Sequence, residues 1–531
     1  MDQKVGTEFP SQDLVGRHVL VLLPQSRKDT SKYLVSLFQE AKLRWNWRIS
    51  MVGENVDRAP FEKLLAPNGN FYSRPYLLRV QEWEDDPEAV AANESRFREA
   101  ELVLGVPAGR QILAAGHSIG RAFNAPLIYP KRSKLLTKVL RNNREPYRIL
   151  QRVYRHAEEI IELAKPDVIF AWERVTPINS MICTAAASRH IPCFVHRRSK
   201  IHPDRGYWTT DRIMLNPAIV ELAQAKCNLG ESVSEEAKAY IQAFRDQPSM
   251  IKYIAARWRD KSRRGIIRWH VTYVRIIFRE LINSFRGQDR WAREPGWSRI
   301  FRYYRGLYLS SRQQRFFCTL DEGALMNTKY VYFPLHKEAE LAQTFQSTLW
   351  HDQRNTIRVL ASMLPFGYRL LVREHRLNYG RRPTRYYEEL LKLPNVVVID
   401  PYDSQFKYLR NADLIVTENG SSGWEGLLLR KPVIILSSTF YDGAGLGTKV
   451  KDPDQLNAAI LDALTKAPVS DPEAYDQALG YMIDAENEMT FPMTVKGMPI
   501  ALDRMAETLG PALQEREASP APPARASSRS H

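Results

Sequence analysis

The residues that most suggest chemistry form one short phrase, Thr417-Glu-Asn-Gly-Ser-Ser-Gly-Trp-Glu425, between an apolar run and a helical pattern. Gly420 and Gly423 permit unusual backbone angles and close approach of a ligand. Ser421 and Ser422 can cap the helix that follows and can donate hydroxyls to an anion. The helix N-terminus adds free N–H groups and positive potential. Together these features make a phosphate cradle, and Glu425 in the first helical turn could accept ribose hydroxyls. A capped helix in a generic α/β protein has the same letters.

Three further loops in the same half follow apolar runs. Pro334-Leu-His-Lys-Glu338 carries His336, Arg373-Glu-His-Arg376 carries Glu374 and His375, and Ser437-Ser-Thr-Phe-Tyr441 carries hydroxyls. His375 at a strand end can hydrogen-bond a phosphate and assist a leaving group. Glu418 is the acid nearest the serine pair. In the first half, Glu173 follows the run Pro166–Trp172, where a carboxylate could serve as base or nucleophile. The basic phrase His196-Arg-Arg-Ser-Lys-Ile-His202 follows another run, and its Arg197, Arg198 and Lys200 suit an acidic sugar or a phosphate. The four cysteines, Cys183, Cys193, Cys227 and Cys318, show no metal-ligand spacing, and no metal is expected.

These loops need strands to hold them. Short apolar runs at 18–23, 101–105, 166–172 and 191–195 read as buried strands, with helical stretches at 33–43 and 179–188 between them. The alternation resumes more clearly at 330–333, 368–373, 396–399, 414–417 and 432–436, with helices over 343–363, 386–391, 404–411 and 423–429. Strands alternating with helices imply parallel sheets with crossover helices, whose ligands bind beyond the carboxyl ends of the strands. The expected division is an acceptor domain over 1–235, a basic helical segment over 236–315, a nucleotide-sugar domain over 316–510, and a disordered Pro/Ala/Ser/Arg-rich tail over 511–531.

At 44% hydrophobic and 26% charged residues the chain can build ordinary globular cores. Its net charge of +16 is concentrated: residues 251–315 hold seventeen Lys or Arg and four acids, hence +13. The same segment carries Trp258, Trp269, Trp291 and Trp297. Arginine alternates there with Ile266, Ile267, Val271, Val274, Phe278 and Leu281, a pattern that suits an amphipathic helix on an anionic membrane surface. No recognised nucleic-acid module accompanies the charge, so nucleic acid is not an expected partner. No apolar run approaches the ~18 residues of a spanning helix, and Met1–Pro10 is polar rather than leader-like. A cytoplasmic protein, held peripherally at the inner membrane, is the expectation.

Taken together, these phrases resemble the capsule polysaccharide biosynthesis family. The resemblance is strongest over 329–442 and weaker over about 160–215. Tyr330-Val-Tyr-Phe-Pro-Leu-His336 is similar to the opening strand of that family's C-terminal domain. Arg373-Glu-His375 is similar to its histidine-proline motif, and Gly420-Ser-Ser-Gly-Trp-Glu425 with Leu428-Leu-Arg-Lys-Pro-Val433 to its glycine-serine loop and following strand. The resemblance implies a GT-B fold: two Rossmann-like domains facing a cleft, here with a basic helical insertion between them. It implies a glycosyltransferase whose nucleotide-sugar donor sits on the C-terminal domain and whose surface glycan or glycolipid acceptor sits on the N-terminal one. Closure would exclude water. Some members move Kdo from CMP-Kdo. Two details depart from the pattern: Arg376 stands where proline is expected, loosening the histidine loop, and Asp321-Glu-Gly323 lies in the linker rather than in the first domain. A sugar-nucleotide epimerase and a non-catalytic glycan-binding protein of the same fold are the competing readings. Transfer requires an acceptor, and loss of nucleotide binding would mark the non-catalytic protein.

Overall fold

In the computed structural model the described residues are 11–23, 28–53, 61–72, 87–105, 108–115, 145–172, 177–202, 204–210, 217–248, 271, 274–275, 278, 296–337, 349–350, 352–465, 469 and 471–518. Among them the strands are β1 (His18–Leu22), β2 (Arg48–Val52), β3 (Phe71–Tyr72), β4 (Val168–Ala171), β5 (Cys193–Arg198), β6 (Arg205–Thr209), β7 (Tyr330–Pro334), β8 (Arg369–Arg373), β9 (Val396–Ile399), β10 (Leu414–Thr417), β11 (Val433–Ile435), β12 (Thr448–Lys449) and β13 (Phe491–Pro492). They form two sheets, each in its own compact unit.

The first sheet runs β13-β6-β5-β4-β1-β2-β3. Strands β3-β2-β1-β4-β5 are parallel, while β6 and β13 close the edge antiparallel. Every residue of β1 and β4 is buried, as expected of central parallel strands covered on both faces. The second sheet runs β12-β11-β10-β7-β8-β9, all parallel. Counted from β7, that is the doubly wound order 3-2-1-4-5-6, with its topological switch between β7 and β10. The α/β fold class with two Rossmann-like domains is thus present in the topology itself.

One device recurs in both units and fixes the central strand pair. Asp167 accepts the His18 N–H at 2.8 Å and returns its own N–H to the His18 carbonyl at 2.8 Å. Asp413 does the same with Tyr330, at 2.8 and 3.2 Å. Each aspartate sets the register of the fourth strand against the first from the N-terminal end. The opposite ends, where ligands bind, are positioned by the same pairing.

The units divide at different places from the sequence expectation. Unit 1 comprises 1–112, 144–212 and 488–531, and unit 2 comprises 113–143 and 213–487. Residues 217–248, expected partly in the first domain, belong to the second. There the helix Glu235–Asp246 is tied down by a bidentate pair from Arg245 to Asp476, both bonds 2.6 Å. The C-terminal helix Met498–Ala518 returns to the first sheet. Its Ala501, Leu502, Met505, Leu509 and Leu513 recur at helical spacing and pack into the core that holds Trp45, Trp47 and Phe170. The tail expected to begin at 511 is therefore helical to Ala518.

Two other local expectations change. Glu101–Gly105 is the end of the helix Pro87–Leu104, not a strand; Leu102 and Val103 are exposed. The basic phrase 196–202 is a hairpin rather than a free loop. His196, Arg197 and Arg198 are strand residues paired with Trp208, Tyr207 and Gly206. Most of the basic segment lies outside the described residues. Of what is described, Val271, Val274 and Phe278 are helical and exposed. The helix Gly296–Gln313 exposes Tyr304, Leu307 and Tyr308. Among the described residues no helix is long and apolar enough to cross a membrane.

Candidate functional site at the switch point of the second sheet

The carboxyl ends of β7, β8 and β10 carry His336, His375 and the 417–425 loop. The structure places them around the switch point. His336 follows β7 directly, and a Cβ built on Gly420 would lie 3.0 Å from its Cε1 and 3.5 Å from its Nε2. His375 lies near His336, so that protonating one would disfavour protonating the other.

The loop after β10 turns on Thr417, whose hydroxyl accepts the Gly420 N–H at 3.1 Å. Gly420 is the N-cap of the helix Ser421–Leu428, with φ −78° and ψ 159°. Its backbone is ordinary extended chain; glycine is needed because the His336 ring occupies the Cβ space. At Gly423 that space is filled by the Tyr441 phenol and a Thr417 methyl, so its missing side chain serves packing rather than a ligand's approach. Tyr441 donates to the Gly420 carbonyl at 2.8 Å and fixes the turn. The serines occupy the first two helical positions rather than the cap. There the helix leaves backbone N–H groups without intrahelical acceptors, and its dipole favours an anion.

Glu425 is buried and faces inward. It accepts from the Gln405 amide at 2.8 Å. Burial pushes its carboxyl up to about 7, against the pull of Arg373 and Ser421. Its Oε2 is thereby held by the protein beside the helix start. Ser421, Ser422 and the backbone N–H groups of the first turn are the donors that the helix start offers to a phosphate.

His375 is neutral. Burial, then the charges of His336, Lys337, Arg382 and Arg373, lower its pKa to about 3. Its Nδ1 accepts the Leu377 N–H at 3.2 Å, so the proton sits on Nε2 and that nitrogen is a donor. His336 is also neutral, held down to about 4 by burial. Its Nε2 has no hydrogen-bond partner among the described residues. The cations around His375 create a positive field that suits a phosphate.

Glu374, expected to touch the ligand, supports the loop instead. It is fully buried. It accepts from Arg382 at 2.7 Å, Tyr387 at 2.7 Å and the His375 N–H at 2.6 Å. Burial pushes its carboxyl up, and these three donors hold its charge. The arginine that replaces the expected proline does not free the loop: Arg376 donates to the carbonyls of Pro401 at 2.6 Å and Tyr402 at 3.3 Å and lies over the Tyr402 ring. Glu418 is fully buried, and its carbonyl takes part in β10–β11 pairing through the Ser437 N–H at 2.9 Å.

Sequence reading missed Gln353, Asn378 and Arg382, which converge on the His336 carbonyl. Arg382 stands in the phrase Tyr379–Pro383 behind the histidine loop and Asn378 just before it, yet only their partners in space reveal their duty, and Gln353 belongs to no motif. In the first unit, Glu173 lies outside the described residues, directly after Trp172 at the end of β4. Arg197 and Arg198 are on β5, and Lys200 is in the turn that follows. Beside them His196 stacks on Trp172, centroids 3.8 Å apart and planes within 3°. These groups belong to the first sheet and the histidines to the second. Among the described residues no group of His, Cys, Asp or Glu is placed to hold a metal ion.

Comparison with known proteins agrees with the second sheet. Residues 329–477 match the model of the family described as capsule polysaccharide biosynthesis protein, and that stretch contains every loop of the candidate site. The resemblance read from the motifs stands over this stretch. No curated protein matches the chain. Among solved structures, the beta Kdo 2,7 transferase of Thermosulfurimonas dismutans KpsC is 11% identical, covers 62% of this chain and 80% of its own, and has a TM-score of 0.27. The beta Kdo 2,4 transferase of the same protein is 13% identical over 60% and 79%, TM-score 0.29. The UDP-GlcNAc 2-epimerase of Methanocaldococcus jannaschii is 11% identical over 88% and 98%, TM-score 0.26. Likenesses this distant do not discriminate between transfer and epimerisation.

Proposed function

We propose that the chain is a glycosyltransferase that takes a nucleotide-sugar donor on its C-terminal domain and passes the sugar to a capsular or other surface polysaccharide. The observation that carries this is that the His336 ring lies against Gly420 at the start of the helix Ser421–Leu428, with His375 and its surrounding cations beside it, at the switch point of a doubly wound sheet. Donors preorganised around an anion stabilise a departing nucleotide phosphate without needing a proton transfer. The family match over 329–477 supports a glycan-building role, and CMP-Kdo is a donor consistent with it.

In this reading Glu173 is the base or nucleophile of the N-terminal domain, and Arg197, Arg198 and Lys200 bind an acidic acceptor. An anionic membrane surface is a fitting location, supported by the exposed apolar residues Val271, Val274, Phe278, Tyr304, Leu307 and Tyr308 in the most basic part of the chain. Sedimentation with anionic vesicles at low salt, reversed by salt, checks it. The test of transfer itself is product stoichiometry. With a nucleotide sugar and a glycan acceptor, one nucleotide should be released for each sugar joined, and neither without the acceptor. Recovery of an isomerised nucleotide sugar, with no nucleotide released, would replace transfer by epimerisation.

A further inference from the structure

The His336 backbone is gripped from several sides. Gln353, fully buried at the first position of the helix Gln353–Met363, accepts the His336 N–H at 2.6 Å and donates to the His336 carbonyl at 3.2 Å. One side-chain amide therefore does for this residue what a neighbouring strand would do, just beyond the end of β7. The same carbonyl also receives Asn378 at 3.2 Å and Arg382 at 3.4 Å. Asn378 in turn donates its backbone N–H to the His375 carbonyl at 2.8 Å, and Arg382 holds Glu374, which accepts the His375 N–H. So many directed bonds on one backbone unit exceed what a loop needs to stay folded. They hold the imidazole against Gly420, beside the start of the helix, with a buried Nε2 that lacks a partner among the described residues.

We propose that Gln353 is a positioning residue for ligand binding: it fixes the His336 backbone so that the His336 imidazole meets the anionic group of a nucleotide at the helix N-terminus. This rests on the nucleotide-site reading above. In this proposal Gln353 acts on the ligand through the His336 backbone, which gives it a signature that general loss of stability lacks. The signature is non-additivity between contacting residues.

The experiment is a double-mutant cycle on the full-length protein. The probe is whichever of CMP, UDP and GDP binds the wild type most tightly by calorimetry. Gln353→Met, close in shape but unable to form either bond, should weaken binding about tenfold. In a His336→Ala background the same substitution should change affinity by less than about twofold. Equal losses in both backgrounds, or no loss in either, would overturn the proposal while leaving the nucleotide site standing. If Gln353→Met does not fold, Asn378→Leu runs the same cycle with the same criteria. If the wild type binds none of the three nucleotides, the nucleotide-site reading fails and takes this proposal with it.

Discussion

Arg382→Met should destabilise the C-terminal domain by about 3–5 kcal/mol. The Arg382 and Glu374 side chains are 1% and 0% exposed, and their ion pair is 2.7 Å long. Methionine fills similar space, so little of the effect comes from a cavity. The loss comes from leaving Glu374 buried without its cation, held only by the Tyr387 hydroxyl and the His375 N–H. Replacing both charges, as in Arg382→Met with Glu374→Leu, should recover much of the loss, because the desolvation cost disappears with the charges. Urea unfolding followed by circular dichroism reads both variants. A single-variant loss below 1 kcal/mol would mean that the pair is not buried as described.

Glu173→Gln should reduce glycosyl transfer by about 10²–10⁴-fold, the contribution of a positioned general base, and leave nucleotide affinity unchanged. Glu173 immediately follows Trp172, at the carboxyl end of β4. That strand pairs with β1, so the residue follows the switch point of the first sheet. The substitution keeps size and hydrogen-bonding capacity and removes only the ionisable group. Nucleotide sites belong to the second sheet in this account, which is why binding should persist. Turnover within a few-fold of wild type would remove Glu173 from the chemistry and leave Glu418 and Asp321 as the next acids to test.

Much of the second domain was legible because its strands are continuous apolar runs bounded by polar loops. Tyr330–Phe333 and Leu414–Thr417 are central parallel strands buried at every residue, and Val396–Ile399 adds the edge beside β8. The first domain was less legible where a helix end carried a strand-like phrase, as at Leu102-Val103-Leu104, and where β6 and β13 were too short or polar to stand out. The return of Met498–Ala518 to the first sheet is a long-range contact that local pattern does not encode. In the candidate site, motif letters located the loops correctly but not the duties of each residue. Glu374 and Glu425 read as ligand contacts because loop acids usually face solvent. Both are buried instead, Glu374 against Arg382 and Tyr387 and Glu425 against Gln405. Gly420 and Gly423 read as ligand-facing, yet His336 and Tyr441 fill the space a side chain would take.

The central claim is that a nucleotide phosphate binds at the start of the helix Ser421–Leu428, and calorimetry tests it most directly. Titrating CMP, UDP, GDP and their sugars into the wild type should reveal at least one saturable, one-to-one ligand. The Ser421→Ala, Ser422→Ala double variant removes hydroxyls and keeps the helix N-terminus. It should bind that ligand more weakly by about 1–3 kcal/mol, with its circular dichroism spectrum unchanged. An identical dissociation constant in the folded double variant, or no binding of any nucleotide by the wild type, would contradict the account.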